Sequence, residues 1–364
     1  MSMRAAIAVL LCAVTCLLAC LTLEGEAHAS PSNLPMPRFT FDTHWLKLPA
    51  DLATGEIVAV AVDRRDQLWV LHRPKTVSGP ISAAPPVMVF DAQGRYLRGF
   101  GGPGDGYQWP DVEHSLAVTS RGHAWVGGSF RGARGRGDDM LLEFDASGSF
   151  VRQIGRKSAS DGNFDMANVR APGDIFFDED KQEIYVADGY GNQRVVAIDE
   201  HSGAFRRVWG AFGKPPPRVS PANPLVPLEA KDFHSFIGVH GVELSRDGLV
   251  YVSDRGNRRI QVFSRQGRFL QQVAVGQDSP APLTASGMTF SRDRGQQYLF
   301  VADFGNGRIE VIDRRRMRLI GTIGRAGTAP GEFRGPHLMD SDSKGVLYVA
   351  EVQGRRLQRL IPKP

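Results

Sequence analysis

The sequence predicts an all-β protein folded as a six-bladed β-propeller, and three observations lead to this fold class. The composition is rich in turn residues, with 41 Gly and 23 Pro among 364 residues, which favours many short strands over long helices. One pattern of strands and turns occurs six times along the chain. No copy of that pattern could bury its own apolar faces, so the copies must stack, and radial stacking of four-stranded sheets gives a propeller.

The six units share one order of elements. Each begins with an apolar strand and a polar turn, and continues with a second apolar strand that usually ends in Asp or Glu. A Gly/Asn turn and a third strand follow. The fourth strand is clearest at residues 96–101, 150–155, 205–210 and 319–324. The sequence therefore predicts units of up to four antiparallel strands.

The last unit is incomplete, because it stops at its third strand near Ile361. Residues 39–48 alternate between apolar and polar side chains, as a half-buried strand does. We expect this N-terminal strand to complete the last blade and close the ring. A closed ring leaves no sheet edge that needs a partner, so we expect a monomer.

The turn between the second and third strands carries a repeated polar set. One copy is Asp254, Asn257 and Arg259, and the same set recurs at residues 303–308. The stretches around both copies, such as residues 251–263, resemble NHL repeats. We interpret the set as structural: Asn accepts a left-handed backbone in the turn, and Asp and Arg tie the turn to its neighbouring strand.

Residues 1–29 have the pattern of a secretory leader. Arg4 precedes a long apolar run, and residues 27–29 offer a small-x-small cleavage site. The propeller then occupies residues 30–364, and we expect it to be secreted or periplasmic. An alternative is a lipoprotein signal, in which a lipid is attached to Cys20. All three cysteines lie in the leader, so a mature chain cut after it cannot form disulfides.

Charge and hydropathy argue against two kinds of partner. The formal net charge is +5 over 364 residues, and the arginines are scattered through every segment. This pattern favours solvated strand faces over a nucleic-acid surface. After the leader, no apolar run approaches the roughly 20 residues that span a bilayer, so we expect no transmembrane segment.

Three histidines occupy one position of the repeat. In the aligned first strands, this position holds Val58, His114, Gly173, His240, Ser286 and His337. First strands line the channel of a propeller, so histidines of alternate blades converge on its axis. Three protein ligands with one open position are typical of a catalytic zinc, and we expect one zinc per chain. The alternative is that each imidazole satisfies a buried polar group.

The loops between second and third strands lie at the same end of the channel as these histidines, because the strands are antiparallel. Arg73 ends the second strand of the first unit, and Tyr190 is an inserted residue in that loop of the third unit. Both are candidate site residues. The alternative is that Arg73 is a surface charge and Tyr190 a rim aromatic. Two long segments, residues 127–139 and 213–236, share this face, where long loops usually carry binding.

The most informative stretches are residues 56–73, 109–118, 186–196, 239–244 and 335–351. Together they resemble the peptidyl-α-hydroxyglycine α-amidating lyase family, whose fold is a six-bladed NHL-type propeller. The resemblance implies zinc on His114, His240 and His337, with Arg73 and Tyr190 in the active site. It implies a carbon–nitrogen lyase that splits a carbinolamide, at a peptide C-terminus or in a small molecule, into an amide and glyoxylate. Zinc would polarise the oxygen at the reacting carbon, Tyr190 would be the general base, and Arg73 would bind the carboxylate or stabilise Tyr190.

Two positions depart from that family. Gly335 stands where the family has Met, which removes a wall of the substrate pocket, and Leu338 stands where it has an Asp that binds calcium. An apolar side chain cannot ligate calcium, so a structural calcium is in question. Two other functions stay open: another metal-dependent propeller enzyme, such as a lactonase or hydrolase, and a non-catalytic binding module.

Overall fold

The computed structural model describes residues 34–130, 137–218 and 234–363. The expected leader with Cys20 lies outside these residues, as do parts of the two long segments expected on the histidine face. The described ranges contain two short 3₁₀ helices, Pro74–Thr76 and Ala211–Gly213. Neither of them, nor any other helix in those ranges, has the length and apolar character that a membrane-spanning helix requires.

All other regular structure in these ranges is β. The strands in chain order are β1 (Phe39–Asp42), β2 (Leu52–Ala53), β3 (Glu56–Val62), β4 (Leu68–Arg73), β5 (Ser82–Ala83), β6 (Val87–Phe90), β7 (Tyr96–Phe100), β8 (Glu113–Val118), β9 (Ala124–Gly128), β10 (Met140–Phe144), β11 (Phe150–Gly155), β12 (Asp174–Asp178), β13 (Glu183–Asp188), β14 (Arg194–Asp199), β15 (Phe205–Trp209), β16 (Val239–Leu244), β17 (Leu249–Asp254), β18 (Arg259–Ser264), β19 (Phe269–Ala274), β20 (Ala285–Phe290), β21 (Tyr298–Asp303), β22 (Arg308–Asp313), β23 (Arg318–Ile323), β24 (Arg325–Ala326), β25 (Glu332–Phe333), β26 (Pro336–Ser341), β27 (Leu347–Glu351) and β28 (Arg356–Pro362).

Twenty-four of these strands form six four-stranded sheets, the blades of a propeller, which confirms the predicted fold class. Blade 1 is β3-β4-β6-β7, and blades 2 to 5 are β8 to β11, β12 to β15, β16 to β19 and β20 to β23. Strands within a blade pair antiparallel, as in β3 with β4 and β16 with β17. Blade 4 has a full fourth strand, β19, which the sequence pattern did not single out. Two short parallel pairs, β2-β5 and β24-β25, lie outside the blades.

The sixth blade closes the ring with a strand from the other end of the chain. Its order is β26-β27-β28-β1, with Phe39 opposite Pro362 and Asp42 opposite Arg359. This pairing confirms the N-terminal closing strand, although the strand ends at Asp42 and is shorter than the alternating pattern indicated. On the inside of the ring, β26 contacts both β20 and β3. The propeller is therefore closed both at the rim, by the pairing of β1 with β28, and near the axis, by contacts between inner strands.

Burial falls from the axis to the rim, which explains the sequence patterns of the strands. The inner strand β3 is buried at every position except its two ends, because its neighbours cover both of its faces. The outer strand β19 alternates between exposed and half-buried residues along most of its length, because one of its faces meets water. Continuous apolar runs thus mark inner strands.

The polar set of the NHL-like turn is a buried network. The Asp254 carboxylate accepts hydrogen bonds from Asn257 Nδ2 at 2.9 Å and from Arg259 Nε at 2.7 Å. This agrees with the structural interpretation of the set. The expectation that Asn takes the left-handed backbone is wrong, because the positive φ belongs to the next residue, Arg258 (57°) in blade 4 and Gly307 (63°) in blade 5. Asn instead uses its amide to hold the Asp side chain.

Candidate metal centre

Each of the three aligned histidines sits at a β-bulge of an inner strand. In β8, Glu113 pairs with Gly128 and Ser115 pairs with Gly127, which leaves His114 unpaired between them. The same kind of register shift in β16 and β26 contains the histidines of blades 4 and 6. A bulge bends its strand and re-aims the extra side chain. Here it turns each imidazole towards the channel axis.

The imidazoles of His114, His240 and His337 meet at the axis. One nitrogen from each ring lies within 4.8 Å of the others, and Nε2 of His240 is 3.0 Å from Nε2 of His337. Their ring centroids are 4.7 to 5.1 Å apart. The three residues are only 1 to 3% exposed. The structure therefore brings together the three side chains that the repeat alignment selected.

The second nitrogen of each ring faces a backbone carbonyl of the next blade. His114 Nδ1 donates to Gly173 O at 2.9 Å, and His337 Nδ1 donates to Val58 O at 2.6 Å. The carbonyl of Ser286 lies beside the His240 ring and raises its pKa, although Nδ1 of that ring makes no hydrogen bond of normal geometry. These carbonyls belong to the non-histidine positions of the same ring of residues.

Burial keeps all three rings neutral. Desolvation lowers the pKa of His114 and His240 well below 6.5. His337, Arg73 and Arg255 lower the pKa of His114 further, and Arg255, His337 and His114 do the same for His240. For His337, desolvation is again the largest cause and Arg255 the next, and its pKa falls to about 3. Neutral imidazole is the form that binds metals. The three rings are therefore in the ligand form at neutral pH.

The arrangement fits a metal ion. Because Nδ1 of His114 and of His337 carries the ring proton, Nε2 of both rings is a lone pair that points into the cluster. Metal-bound histidines usually donate their other N–H in this way, which fixes the tautomer. These lone pairs lie at hydrogen-bond distance from the Tyr190 hydroxyl and from His240 Nε2, and a metal ion would take the place of those contacts. That these residues bind zinc stays a prediction.

Tyr190 lies against the histidine cluster. Its hydroxyl oxygen is 3.0 Å from Nε2 of His114, and its ring is 4.8 Å from the His114 ring and 5.5 Å from the His240 ring, centroid to centroid. The β13–β14 loop holds it there, since Tyr190 N donates to Ala171 O. Gly189 is required before it, because a Cβ at that position would meet the backbone of Val239 at 2.0 to 2.5 Å.

Arg255 is a site residue that the sequence interpretation missed. Its Nη1 donates to the Tyr190 hydroxyl at 2.9 Å, and its guanidinium stacks on the Phe304 ring at 4.6 Å. The side chain is buried, which lowers its pKa from the usual value. A signal existed: Arg255 directly follows the Asp254 that ends β17, the same loop from which blade 3 presents Tyr190. Arg255 lies between Asp254 and Asn257, two members of the repeated polar set that has a structural role.

Arg73 lies near the cluster and is held by residues of blades 1 and 2. Its Nη1 donates to Glu56 Oε2 at 2.7 Å and its Nε donates to Glu113 O at 3.0 Å. Its charge contributes to the lowered pKa values of His114 and His337. Within the described residues, Arg73 makes no contact with Tyr190, so the cation on the tyrosine is Arg255 and not Arg73. The third nitrogen of Arg73, Nη2, makes no hydrogen bond to any described residue.

Phe304 occupies the wall beside Gly335. A Cβ at Gly335 would lie 2.9 Å from the Phe304 ring, and that ring is 6.2 Å from the ring of His337. Gly335 also has a left-handed backbone, with φ of 61°. An aromatic ring from the neighbouring blade therefore lies beside Gly335, the position at which the sequence departs from the family it resembles.

Leu338 directly follows His337 and packs into the wall of the channel. It is 3% exposed and packs in one apolar cluster with Val58 and Leu116. A substituent on Gly287 would meet Leu338 Cα at 2.6 Å, so the inner strands approach closely at this level. The channel wall at this position is apolar, which is unlike a calcium site.

Other histidines of the described chain serve different partners. His72 is buried, accepts from Gly55 N through Nδ1 and contacts Ala84 O through Nε2, both at 3.0 Å. His123 Nδ1 lies 2.8 Å from Glu143. Neither belongs to the metal-ligand cluster.

The comparisons agree with this architecture. The family model for the NHL repeat matches residues 236–263, which cover β16 to most of β18. The chain is a six-bladed propeller that carries an NHL repeat. A solved structure described as "Streptogramin B lyase structure" has a similar fold, with a TM-score of 0.55 and 13% identity over 89% of this chain and 98% of that one. At this identity the likeness supports the fold alone.

Relatives of the NHL propeller fall into two groups. NHL repeat-containing protein 3 of Mus musculus is 27% identical over 337 residues, or 90% of this chain and 85% of its own length. A probable peptidyl-alpha-hydroxyglycine alpha-amidating lyase of Caenorhabditis elegans is 22% identical over 251 residues, or 68% of this chain and 63% of its own. The chain is thus similar to NHL-repeat proteins and, more distantly, to amidating lyases.

Proposed function

We propose that this NHL propeller is a zinc-dependent carbon–nitrogen lyase that splits a carbinolamide into an amide and glyoxylate. One zinc per chain would be held by His114, His240 and His337. The observation that carries the proposal is the convergence of three neutral imidazoles beside a tyrosine hydroxyl that is hydrogen-bonded to a buried arginine. The distant similarity to an amidating lyase supports the same reaction. We also propose that the protein lies outside the cytoplasm, because residues 1–29 have the pattern of a secretory leader.

The substrate in this proposal has an N–CH(OH)–COO⁻ group. The reaction removes the hydroxyl proton, breaks the carbon–nitrogen bond and returns a proton to the amide nitrogen, so that an aldehyde is left as glyoxylate. When bound, zinc supplies a Lewis acid that polarises oxygen at the reacting carbon. The protein must supply a base, a carboxylate partner and a site that excludes water.

Tyr190 is suited to move the hydroxyl proton. Its oxygen accepts a hydrogen bond from Arg255 Nη1, which stabilises negative charge on that oxygen. It lies at the edge of the histidine cluster, 3.0 Å from His114 Nε2. When the histidine nitrogens are engaged with a metal, this hydroxyl no longer has His114 as its acceptor and can face the substrate.

Arg73 is suited to bind the substrate carboxylate. Glu56 and the Glu113 carbonyl hold two of its nitrogens, which fixes the guanidinium near His114 and His337. Nη2 is left for a ligand, and a charge-assisted hydrogen bond there would orient the carboxylate. Tyr190 with Arg255 would then act on one side of the reacting carbon while Arg73 anchors the other.

Metal analysis is the first test. Purified mature wild-type protein should contain about one zinc per chain, and His240→Ala should lose it because two imidazoles cannot complete the site. His201→Ala is the matched control, since that histidine is exposed and lies outside the cluster. Metal-free wild type, or unchanged zinc in His240→Ala, contradicts the metal site.

A glyoxylate assay tests the reaction. With N-acyl-α-hydroxyglycine substrates, Tyr190→Phe should lower kcat by about 10²- to 10⁴-fold, the usual contribution of a general base. Tyr298→Phe is the control, because that hydroxyl bonds Pro35 O far out in blade 5. If zinc is present but no substrate of this class releases glyoxylate, the lyase proposal is wrong. The binding-module alternative would then be favoured, in agreement with the similarity to NHL repeat-containing protein 3.

A further inference from the structure

A cavity separate from the histidine cluster lies beside the histidine end of the channel, between blades 1 and 2. Its volume is about 750 Å³, within the range of about 300–1,000 Å³ that is usual for small-molecule sites. We call it the interblade groove, lined chiefly by Pro85, Pro86, Pro103, Tyr107, Trp109 and Glu113. Neither the repeat nor the proposed zinc chemistry accounts for it.

The walls of the interblade groove are rigid. Tyr107 stacks on Phe150 with ring centroids 4.7 Å apart, and its hydroxyl donates to Gly102 O at 2.8 Å. Trp109 packs in the core with Phe144, and Gly101 allows its ring to approach, since a Cβ there would lie 2.6 Å from that ring. Prolines supply much of the remaining wall. A preformed apolar surface of this kind binds an apolar chain without first having to reorder.

Charged groups border this apolar surface: Lys75, Asp111 and Lys157 line the groove, and Glu113 is the buried carboxylate among them. Glu113 Oε1 accepts from Trp109 Nε1 at 2.8 Å, which fixes the side chain. The carboxylate also accepts from its own backbone N–H, and a carboxylate has capacity for further donors. A ligand in the groove can therefore satisfy it with an N–H group. Pockets that combine apolar walls with a few fixed polar groups are typical ligand sites.

The interblade groove begins where the proposed active site ends. Glu113 directly precedes His114, and Pro74, which also lines the groove, directly follows Arg73. The Arg73 side chain joins the two sites, because its Nε donates to Glu113 O while its charge acts on His114 and His337. A substrate whose carboxylate reaches Arg73 has its preceding residues beside this groove.

We infer that the interblade groove binds the acyl side of the lyase substrate and selects an extended apolar peptide, with a backbone N–H donating to Glu113. This inference rests on the proposed function for the position of the reacting group. The resemblance already implies a peptide C-terminus as one possible substrate, and the groove adds a preference for apolar residues before the hydroxyglycine. Apolar side chains would pack on Tyr107, Trp109 and the prolines.

The test measures binding with unreactive probes, which end in glycine and lack the hydroxyl group that the reaction needs. Calorimetry on zinc-loaded wild type should show N-acetyl-Val-Phe-Gly binding at least about tenfold more tightly than N-acetyl-Ser-Ser-Gly, because burial of apolar side chains is worth that much. Ala83→Trp fills the groove and should bring this ratio close to one. Ala92→Trp, the same change at an exposed alanine outside the groove, should keep the wild-type ratio.

Pro103→Glu is a second variant, which places a charge on the apolar wall and should lower the ratio as well. The inference is overturned if wild type shows no preference, or if Ala83→Trp and Pro103→Glu both keep it while circular dichroism shows a folded chain. Its failure is separable from that of the lyase proposal. A lost preference with intact glyoxylate release removes the groove alone, and a retained preference without turnover removes the lyase alone.

Discussion

Glu310 should make the stability of the propeller depend on pH. Its side chain is fully buried in blade 5, where Oε1 accepts from Arg308 Nε at 3.0 Å and no described residue donates to Oε2. Burial is the largest cause of a pKa raised from 4.5 to about 7, and the carboxylate of Asp303 raises it further. The neutral acid is therefore the form that the folded chain prefers.

The sign and size of the effect follow from this shift. A carboxyl whose pKa is higher in the folded state stabilises the fold below its unfolded value of about 4.5, and this stability is lost as pH rises through about 7. A rise of roughly 2.5 units at about 1.4 kcal/mol each gives on the order of 3 kcal/mol. Most of this loss occurs between about pH 4.5 and pH 7, the window that the two pKa values define.

Blade 6 shows which substitution tests this pH dependence. Its equivalent residue is Gln358, whose Nε2 donates to Glu351 Oε1 at 2.7 Å without any titratable proton. Glu310→Gln should therefore equal wild type near pH 4 and exceed it by about 2–3 kcal/mol in free energy of unfolding near pH 8.5. The reciprocal change Gln358→Glu should introduce the same pH dependence. Urea unfolding at both pH values measures it, and a Glu310→Gln effect that does not vary with pH refutes the reasoning.

Three further predictions concern single side chains. Arg255→Met should reduce kcat for glyoxylate release by at least about tenfold with zinc content unchanged, because it removes the donor on the Tyr190 oxygen; lost zinc would indicate a structural role instead. Arg194→Met should cost about 3–5 kcal/mol in unfolding free energy, since it breaks a fully buried ion pair. Arg325→Met, which removes an arginine that is 81% exposed, should change the unfolding free energy by less than about 0.5 kcal/mol. Gly335→Ala should lower thermal stability by about 1–3 kcal/mol through its left-handed backbone and its contact with Phe304, and an unchanged melting temperature would contradict that strain.

The repeat made the fold predictable. Strand order, blade number and the closing strand β1 all follow from six similar units, of which the last lacks a strand. The weaker points were local. β19 was not singled out because its polar alternation is that of a solvent-facing edge, and the left-handed turn residue was assigned to Asn257 instead of Arg258. Both depend on side-chain contacts that a strand-and-turn pattern does not contain.

The sequence by itself determined that His114, His240 and His337 share one position in alternate blades, because a repeat that closes into a ring converts equal register into equal height on the axis. Only the tertiary structure decided what surrounds them. Arg255 and Phe304 reach the cluster from turns that look structural in sequence, and Leu338 packs in an apolar stretch of the channel. Contacts between blades set these partners, and residues far apart in the chain meet there only when the ring closes.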